Sequence, residues 1–135
     1  MTSWTPGWGE FPEPLLEFWT ERHLCSLTTI RPDGRPHAVP VGVALDHEQR
    51  CAWVITGPAS RKARNLEQPG PVAACSVDGA RWSTLEGRGV VVRDAASVAR
   101  AVECYTARYR VPRENPERVA LRLTIDRFLA SASLL

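Results

Sequence analysis

The sequence predicts a mainly β, α+β fold in which an antiparallel sheet closes into a small barrel with flanking helices. The first observation is the element order α-β-β-β-α-β-β-α-β, which apolar periodicity gives along the 135 residues. The second is a pair of hairpin turn signals, Asp33-Gly34 and Asp78-Gly79, each lying between two predicted strands. The third is that no GxGxxG motif follows a first strand, which disfavours a crossover dinucleotide-binding fold.

Apolar spacing in the first half of the chain predicts one helix followed by three strands. Residues 13–23 place their large apolar side chains on one helical face, with Pro14 in the first turn. Residues 24–30 and 51–56 are short runs of apolar and β-branched residues, as in buried strands. Between them, residues 35–45 alternate strictly, so one face of that strand carries branched side chains and the other face is nearly bare.

Pro40 and Gly42 are unusual inside the predicted strand at 35–45. Proline donates no hydrogen bond to a strand ladder and glycine weakens a strand, so both occur mainly at sheet edges, at bulges or where another group approaches the backbone. The sequence therefore leaves two interpretations open. One is an irregular edge strand, and the other is a strand over which a flat group lies.

The second half of the chain predicts two helices and three strands. Gly87 and Gly89 interrupt one strand and are expected to mark a bulge or a point of curvature. No linker, repeat or low-complexity segment divides the chain, so we expect residues 1–135 to form one domain. The predicted segments are a short helix after Ser60, strands at 72–77 and 81–93, a helix at 94–109 and a strand at 118–130.

Composition limits the partners and the location. The 17 basic and 15 acidic residues give a net charge of only +2, so a general attraction to nucleic acid or to a membrane surface is not indicated. No segment approaches the about 20 apolar residues of a membrane span, and the N-terminus has no secretory pattern. The 4 cysteines form no CxxC pair, which favours packing thiols in a reducing compartment. We expect a soluble cytoplasmic protein that binds neither nucleic acid nor membrane.

The stretch TGPASRKARNLEQPG, residues 56–70, carries the strongest functional signal. Ser60 is positioned as the N-cap of a short helix, and Arg61, Lys62 and Arg64 follow it directly. A helix N-terminus has unpaired N–H groups and partial positive charge, so cations there are unfavourable unless an anion lies nearby. The pattern predicts a bound anion, with a solvated helix face as the alternative.

Three segments in order, TTIRPDGRPHAVPVGV, SRKARNLEQPGPVAACSVD and RWSTLEGRGVVV, resemble a known family. They are similar to the pyridoxamine-5'-phosphate-oxidase-like split β-barrel superfamily, and within it to the branch that uses coenzyme F-420, a deazaflavin. The resemblance implies an FMN-binding-type, antiparallel Greek-key-type split barrel. It also implies an F-420-dependent reductase that transfers a hydride to a small unsaturated or quinone-like acceptor. An FMN-dependent oxidoreductase of the same fold and a non-catalytic flavin-binding protein are the alternatives.

The resemblance further implies a cofactor site. Lys62 would be the principal phosphate ligand, and the ring would lie across the second and third predicted strands. Trp82 would reach the cofactor from the neighbouring subunit of a homodimer, although an ordinary interface tryptophan is an alternative. Because the cofactor itself carries the hydride, no catalytic side chain is assigned, and the scattered histidines predict no metal site. The implied cofactor-binding residues are Val39, Pro40, Val41, Ile55, Thr56, Gly57, Ser60, Arg61, Lys62, Asn65 and Trp82.

Two further groups of residues have expected roles beside the cofactor. The anionic tail of F-420 needs positive charge beyond the phosphate, and the acceptor needs a pocket at the seam between subunits. True pyridoxamine-phosphate oxidases bind their substrate with an Arg-rich C-terminal segment that this chain lacks. Pyridoxamine-phosphate oxidase activity is therefore not expected. The candidates are Arg31, Arg35, Arg61 and Arg64 for the tail, and Trp4, Trp8 and Phe11 for the pocket or, alternatively, for the cover of the barrel end.

Overall fold

An antiparallel sheet flanked by helices forms the structure, a computed structural model that describes residues 2–4 and 8–135. The strands are β1 (Thr2–Trp4), β2 (Cys25–Ile30), β3 (Pro36–Val41), β4 (Ala44–Asp46), β5 (Cys51–Thr56), β6 (Gly70–Asp78), β7 (Arg81–Val92) and β8 (Val119–Ala130), and the helices are α1 (Glu13–Thr20), α2 (Arg61–Asn65), α3 (Ala95–Arg108) and a final 3-10 turn (Ala132–Leu134). The strand order is β3-β2-β6-β7-β8-β5-β4, with β1 paired to β8. The predicted α+β class is confirmed, and β1 is a strand that the sequence did not predict.

The chain itself brings the two ends of this sheet together. β3 and β4 are the first and last strands of the order, yet only Gly42 and Val43 separate them in sequence. The sheet must therefore curl until its ends meet at this point, which produces the predicted barrel. β3 is an edge strand in this order, and Pro36, Ala38 and Pro40 are exposed on its outer face. The edge-strand interpretation of Pro40 is confirmed.

The predicted strand at 35–45 is in fact two strands, because the chain breaks its ladder at Gly42. The Tyr109 hydroxyl lies 3.1 Å from the backbone N–H of Val43 and accepts a hydrogen bond from it, which takes that donor out of the sheet. A Cβ atom on Gly42 would come within 2.8 Å of the Tyr105 ring, so only glycine lets the helix pack this closely. The flat group over the bare backbone at Gly42 is thus an aromatic pair from α3.

Gly87 marks the predicted bulge in the long strand β7. The register between β7 and β8 shifts between Glu86 and Gly87. A Cβ atom at Gly87 would collide with the backbone carbonyl of Thr124, so the close approach of the two strands requires glycine. The bulge lets the two 12-residue strands bend around the barrel.

The core fills the barrel interior and includes one buried cation that the sequence did not single out. Leu15, Phe18 and Phe128 are fully buried. Arg108, only 7% exposed, donates hydrogen bonds to the backbone oxygens of Glu21 (2.9 Å) and Val43 (2.6 Å). Its guanidinium therefore ties the end of α1 and the β3–β4 link to α3.

No helix among the residues that the structure describes is long and apolar enough to cross a membrane.

Candidate cofactor site

The loop that leaves β5 is held by the hydroxyl of Ser60. This oxygen accepts a hydrogen bond from the Thr56 hydroxyl at 2.9 Å and from the Ala63 N–H at 3.3 Å, and its own proton goes to the Gly57 carbonyl at 3.0 Å. The predicted N-cap is confirmed. Because these bonds use the hydroxyl fully, Ser60 shapes the loop in this arrangement, and its direct contact with a phosphate stays a prediction.

Helix α2 is only one turn long, which changes the electrostatic argument made from sequence. With 5 residues, its first and last turns overlap, so Lys62 and Arg64 lie as close to the C-terminal carbonyls as to the N-terminal N–H groups. The helix dipole therefore gives little net repulsion. The argument for a bound anion must therefore rest on the burial of the cations and on their lack of carboxylate partners among the described residues.

Lys62 is the strongest candidate for binding an anion, because it is half-buried and has no charged partner among residues 8–135. Burial lowers the pKa of its ammonium, which means that the charged form has lost part of its hydration. Among residues 8–135, no carboxylate forms an ion pair or hydrogen bond with it. Arg61 and Arg64, on the same turn, are exposed and likewise have no carboxylate partner in that range. A partly desolvated cation without a counterion is a suitable ligand for a phosphate.

His37 lies beside these cations and was not predicted as a site residue. Its Nδ1 atom is buried with no hydrogen-bond partner in the described part of the chain. Burial lowers the pKa of His37, and the charges of Arg31, Lys62 and Arg61 lower it further. The field at His37 is therefore positive, and its imidazole is held in the neutral form. Only the β2–β3 pairing brings this histidine to the loop at 60–65, so no local pattern could have revealed it.

Asn65 connects this cationic group to the sheet. Its Nδ2 donates a hydrogen bond of 2.9 Å to the Thr29 hydroxyl, and Thr29 is the cross-strand partner of His37. The other amide atom, Oδ1, is buried without a partner among the residues described. Asn65 thus supports the loop through β2, as expected, and its unpaired oxygen can only accept a hydrogen bond, so it is not a ligand for a phosphate.

The residues expected under the cofactor ring lie in two places, on β3 and at the end of β5. On β3, Val41 is buried, Val39 packs partly against the core and Pro40 is exposed. On the other side, Ile55, Thr56 and Gly57 line a cavity of about 690 Å³ with Tyr105 of α3 and the loop 110–118. The structure therefore brings the predicted β5 residues to a cavity, while the β3 residues do not line it.

Trp82 lies far from this cavity within the same chain. It sits near the start of β7, where it pairs with Val77, whereas Gly89 of the same strand pairs with Gly70, close to Leu66 after α2. Seven residues of strand separate the two points, which at about 3.3 Å per residue is roughly 23 Å. Trp82 therefore lies far from Lys62 within one chain, and its contact with a cofactor from the neighbouring subunit stays a prediction.

The N-terminal aromatic residues pack as a cover on the barrel. Phe11 lies 5.5 Å from Phe128 between ring centroids, and Trp8 lies 5.3 Å from the His47 ring. These contacts agree with the alternative role of covering the barrel end. The side chain of Trp4 lies outside the described residues.

A second polar cluster is a network of ion pairs. Glu21, His23 and Asp78 place their ligand atoms within 4.8 Å of one another. Arg81, however, pairs with both carboxylates, and the His23 Nε2 atom lies 2.9 Å from Glu21. The hydrogen bond with His23 and then that with Arg81 lower the pKa of Glu21. A cation already occupies this position, so the cluster is balanced by the protein's own charges.

Comparisons with known proteins agree with the fold. Residues 11–131 match the pyridoxamine 5'-phosphate oxidase family. Over 120 residues the chain is 48% identical to a biliverdin reductase of Mycobacterium tuberculosis that depends on reduced F-420, covering 89% of this chain and 88% of that protein.

Solved structures give the same fold. A conserved hypothetical protein of M. tuberculosis, Rv2991, superposes with a TM-score of 0.70 at 26% identity, covering 84% of this chain and 79% of that one. An F-420 reductase superposes with a TM-score of 0.64 at 24% identity, covering 84% and 94%. The HutZ heme-storage protein of Vibrio cholerae reaches 0.70 at 21% identity, covering 90% and 96%. At these identities, the last two similarities concern the fold alone.

Proposed function

The chain belongs to the pyridoxamine 5'-phosphate oxidase family, and we propose that within it this protein is an F-420-dependent reductase. The observation that carries the proposal is Lys62, a half-buried cation with no carboxylate partner among the described residues. It lies where the family resemblance expects the cofactor phosphate. The 48% identity to an F-420-dependent biliverdin reductase supports F-420 over FMN as the cofactor.

The residues around Lys62 fit the phosphate of such a cofactor. Lys62 and Arg61 supply the positive charge, and the Asn65 Nδ2 donates a hydrogen bond to the Thr29 hydroxyl that holds the loop carrying them. Ser60 holds the loop in shape through its bonds to Thr56 and Gly57. These groups anchor one end of the cofactor, and the walls formed by β3 and β5 position its ring and exclude water from one face.

The reaction needs little from the side chains themselves. When bound, reduced F-420 supplies a hydride, so the acceptor gains two electrons and takes its second hydrogen as a proton from solvent. In the apoprotein, burial and then the charges of Arg31, Lys62 and Arg61 lower the pKa of His37, which disfavours its protonated form. In this proposal the chain binds and orients the cofactor and the acceptor.

The acceptor is proposed to be a small conjugated molecule, with biliverdin as the first compound to test. The support is the acceptor named for the 48% identical relative. Quinones and unsaturated lactones belong to the same chemical class, since each accepts a hydride at a carbon conjugated to an electron-poor group.

A binding comparison tests the cofactor proposal. F-420 with its glutamate tail, tail-free deazaflavin phosphate and FMN are titrated into the protein at two salt concentrations. We expect tailed F-420 to bind most tightly, and its advantage to shrink at high salt because Arg31, Arg35, Arg61 and Arg64 act on the tail through screened charge. Tighter binding of FMN at both salts would replace the proposal by an FMN-dependent enzyme. Binding without turnover of any acceptor would indicate a non-catalytic carrier.

The active form is proposed to be a homodimer. Leu24 and Val77 are 66% and 60% exposed, and Val77 pairs across the β6–β7 hairpin with Trp82. The side-chain hydroxyl of Ser76 donates to the Leu24 carbonyl, which keeps these apolar residues next to each other. An exposed apolar group of this kind favours self-association. Sedimentation should give a dimer whose cofactor affinity falls on Trp82→Ala, whereas a stable monomer that binds cofactor contradicts the proposal.

A further inference from the structure

The cavity beside β5 has a strongly cationic wall. Of its lining residues, Arg110, Arg113 and Arg118 come from the loop that follows α3, and no aspartate or glutamate lines it. Its volume of about 690 Å³ lies within the range typical of small-molecule sites. The cavity is also lined by Ile55, Thr56 and Gly57, the residues at the end of β5 that are expected to contact the cofactor ring.

Two of these arginines have no partner within the part of the chain that the structure describes. No hydrogen bond or ion pair involves the guanidinium of Arg110 or Arg113. Arg118 donates a hydrogen bond of 2.6 Å to the Arg113 carbonyl, so it fixes the loop that presents Arg113. The acidic neighbours Glu114 and Glu117 are exposed and do not line the cavity. The wall therefore has uncompensated positive charge.

The cavity adjoins the loop proposed to bind the phosphate, but the cationic residues of the two are different. Ser60, Arg61 and Lys62 do not line the cavity, whereas Tyr105 does. Tyr105 also packs against Gly42, the residue that follows the predicted ring contacts on β3. A ligand in the cavity thus lies beside the ring end of the cofactor. The tail of F-420 begins beyond the phosphate, so its carboxylates are expected on the side of Lys62.

We propose that Arg110, Arg113 and Arg118 bind carboxylate groups of the acceptor and thereby select conjugated acceptors that carry acidic side chains. This inference rests on the proposed function, because the ring marks where the acceptor must lie. Guanidinium groups bind carboxylates in a planar, often bidentate geometry, which orients a substrate as well as holding it. Biliverdin has two propionate groups and fits this class.

The test compares biliverdin with its dimethyl ester, which has the same conjugated system and no carboxylates. With reduced F-420, the wild-type protein should give a KM for biliverdin about tenfold below that for the ester, as expected for charge-assisted contacts that are partly screened. The Arg110→Gln/Arg113→Gln double variant should lose this preference through a higher KM for biliverdin alone. Its kcat and its affinity for F-420 should not change. Arg22→Gln removes an exposed arginine outside the cavity and serves as the matched control.

Two results would overturn the proposal. If the double variant raises both KM values equally, or neither, the arginines are solvated surface charges. If instead its affinity for F-420 falls in proportion to the length of the glutamate tail, the cavity serves the cofactor.

Should the wild-type protein reduce neither acceptor, the proposed function fails, and absorbance titration of biliverdin against its ester still decides the arginine proposal. Equal binding of the two compounds there contradicts it, and a preference for the acid that the double variant loses supports it.

Discussion

Arg100 and Lys62 are both partly buried cations, but their surroundings are opposite. Arg100, 23% exposed, makes two hydrogen bonds of 2.8 Å to the buried carboxylate of Asp46 and further ion pairs with Glu48 and Glu103. Lys62 has no carboxylate partner among residues 8–135. The first cation is neutralised by the protein and serves the fold. The second is the proposed phosphate ligand, so the two should respond differently to mutation.

Asp46 should give the largest effect on stability. It accepts hydrogen bonds from Arg100, from the Trp53 indole at 2.9 Å and from the backbone N–H of Gln49 at 3.0 Å. Asp46→Asn removes the charge and turns an N–H group toward these donors. We expect a loss of about 3 kcal/mol in the free energy of unfolding, the lower end for a broken buried pair because Arg100 can partly rehydrate. Urea unfolding measures it.

An exposed pair provides the control. The Arg127 Nε and Glu86 Oε1 atoms lie 2.7 Å apart, but the two side chains are 55% and 35% exposed. Glu86→Gln should therefore lower the free energy of unfolding by less than about 1 kcal/mol. A similar loss in both variants would show that the Asp46 network has no special role.

The Asp46 network also predicts a pH dependence. Burial alone raises the pKa of this carboxyl, but the hydrogen bonds from Arg100, Gln49 and Trp53 outweigh it and hold the pKa well below the ordinary 3.8. The stabilisation is therefore fully present above pH 3.8 and is lost as the pH falls through the lower, folded-state value. The difference in stability between wild type and Asp46→Asn should narrow in acid. A difference that stays constant down to pH 2 would contradict this assignment.

Lys62 should behave in the opposite way in the same unfolding experiment. Lys62→Met removes a charge that is partly desolvated and unpaired while keeping an unbranched apolar stem. The free energy of unfolding of the apoprotein should stay the same or rise by up to about 1 kcal/mol. A loss larger than this would mean that Lys62 has a structural partner, and the contrast with Arg100 would disappear.

His37 gives the smallest effect and a local probe of the cationic group. Its pKa in the apoprotein should lie below 6.5, because burial and the nearby Arg31, Lys62 and Arg61 disfavour the protonated form. A bound phosphate would offset those charges, so the pKa of His37 should rise when the cofactor binds. The cofactor should therefore bind more tightly as the pH falls and His37 becomes protonated. Proton NMR of the imidazole, assigned with His37→Gln, follows the shift. An unchanged pKa at saturating F-420 would place the phosphate elsewhere.

Local patterns in the sequence predicted much of this fold. A short run of apolar and β-branched residues identified β5 with its observed bounds, Ser60 was recognised as a cap, and Gly87 was recognised as a point of bulge or curvature. Each of these depends on a few consecutive residues, whose conformational preferences act locally. The family resemblance added the split-barrel topology, which periodicity alone could not specify.

The missed features depend on contacts between distant segments. Arg108 belongs to no motif identified in the sequence, and its burial depends on contacts with the end of α1 and with the β3–β4 link. The break at Gly42 needs Tyr105 and Tyr109 from a helix over 60 residues away. Likewise, His37 joins the cationic group only through the pairing of β2 with β3. Such residues have no signal in their immediate neighbours.

The most direct test of the unpaired cation is a cycle of two ligands and two proteins. Tail-free deazaflavin phosphate and the corresponding phosphate-free deazariboflavin are titrated into wild type and Lys62→Ala. We predict that the substitution weakens binding of the phosphate compound by about 1.5–3 kcal/mol, the scale of a charge-assisted hydrogen bond, and barely affects the phosphate-free compound. Equal losses for both ligands, or no loss for either, would contradict the assignment of Lys62 as the phosphate ligand.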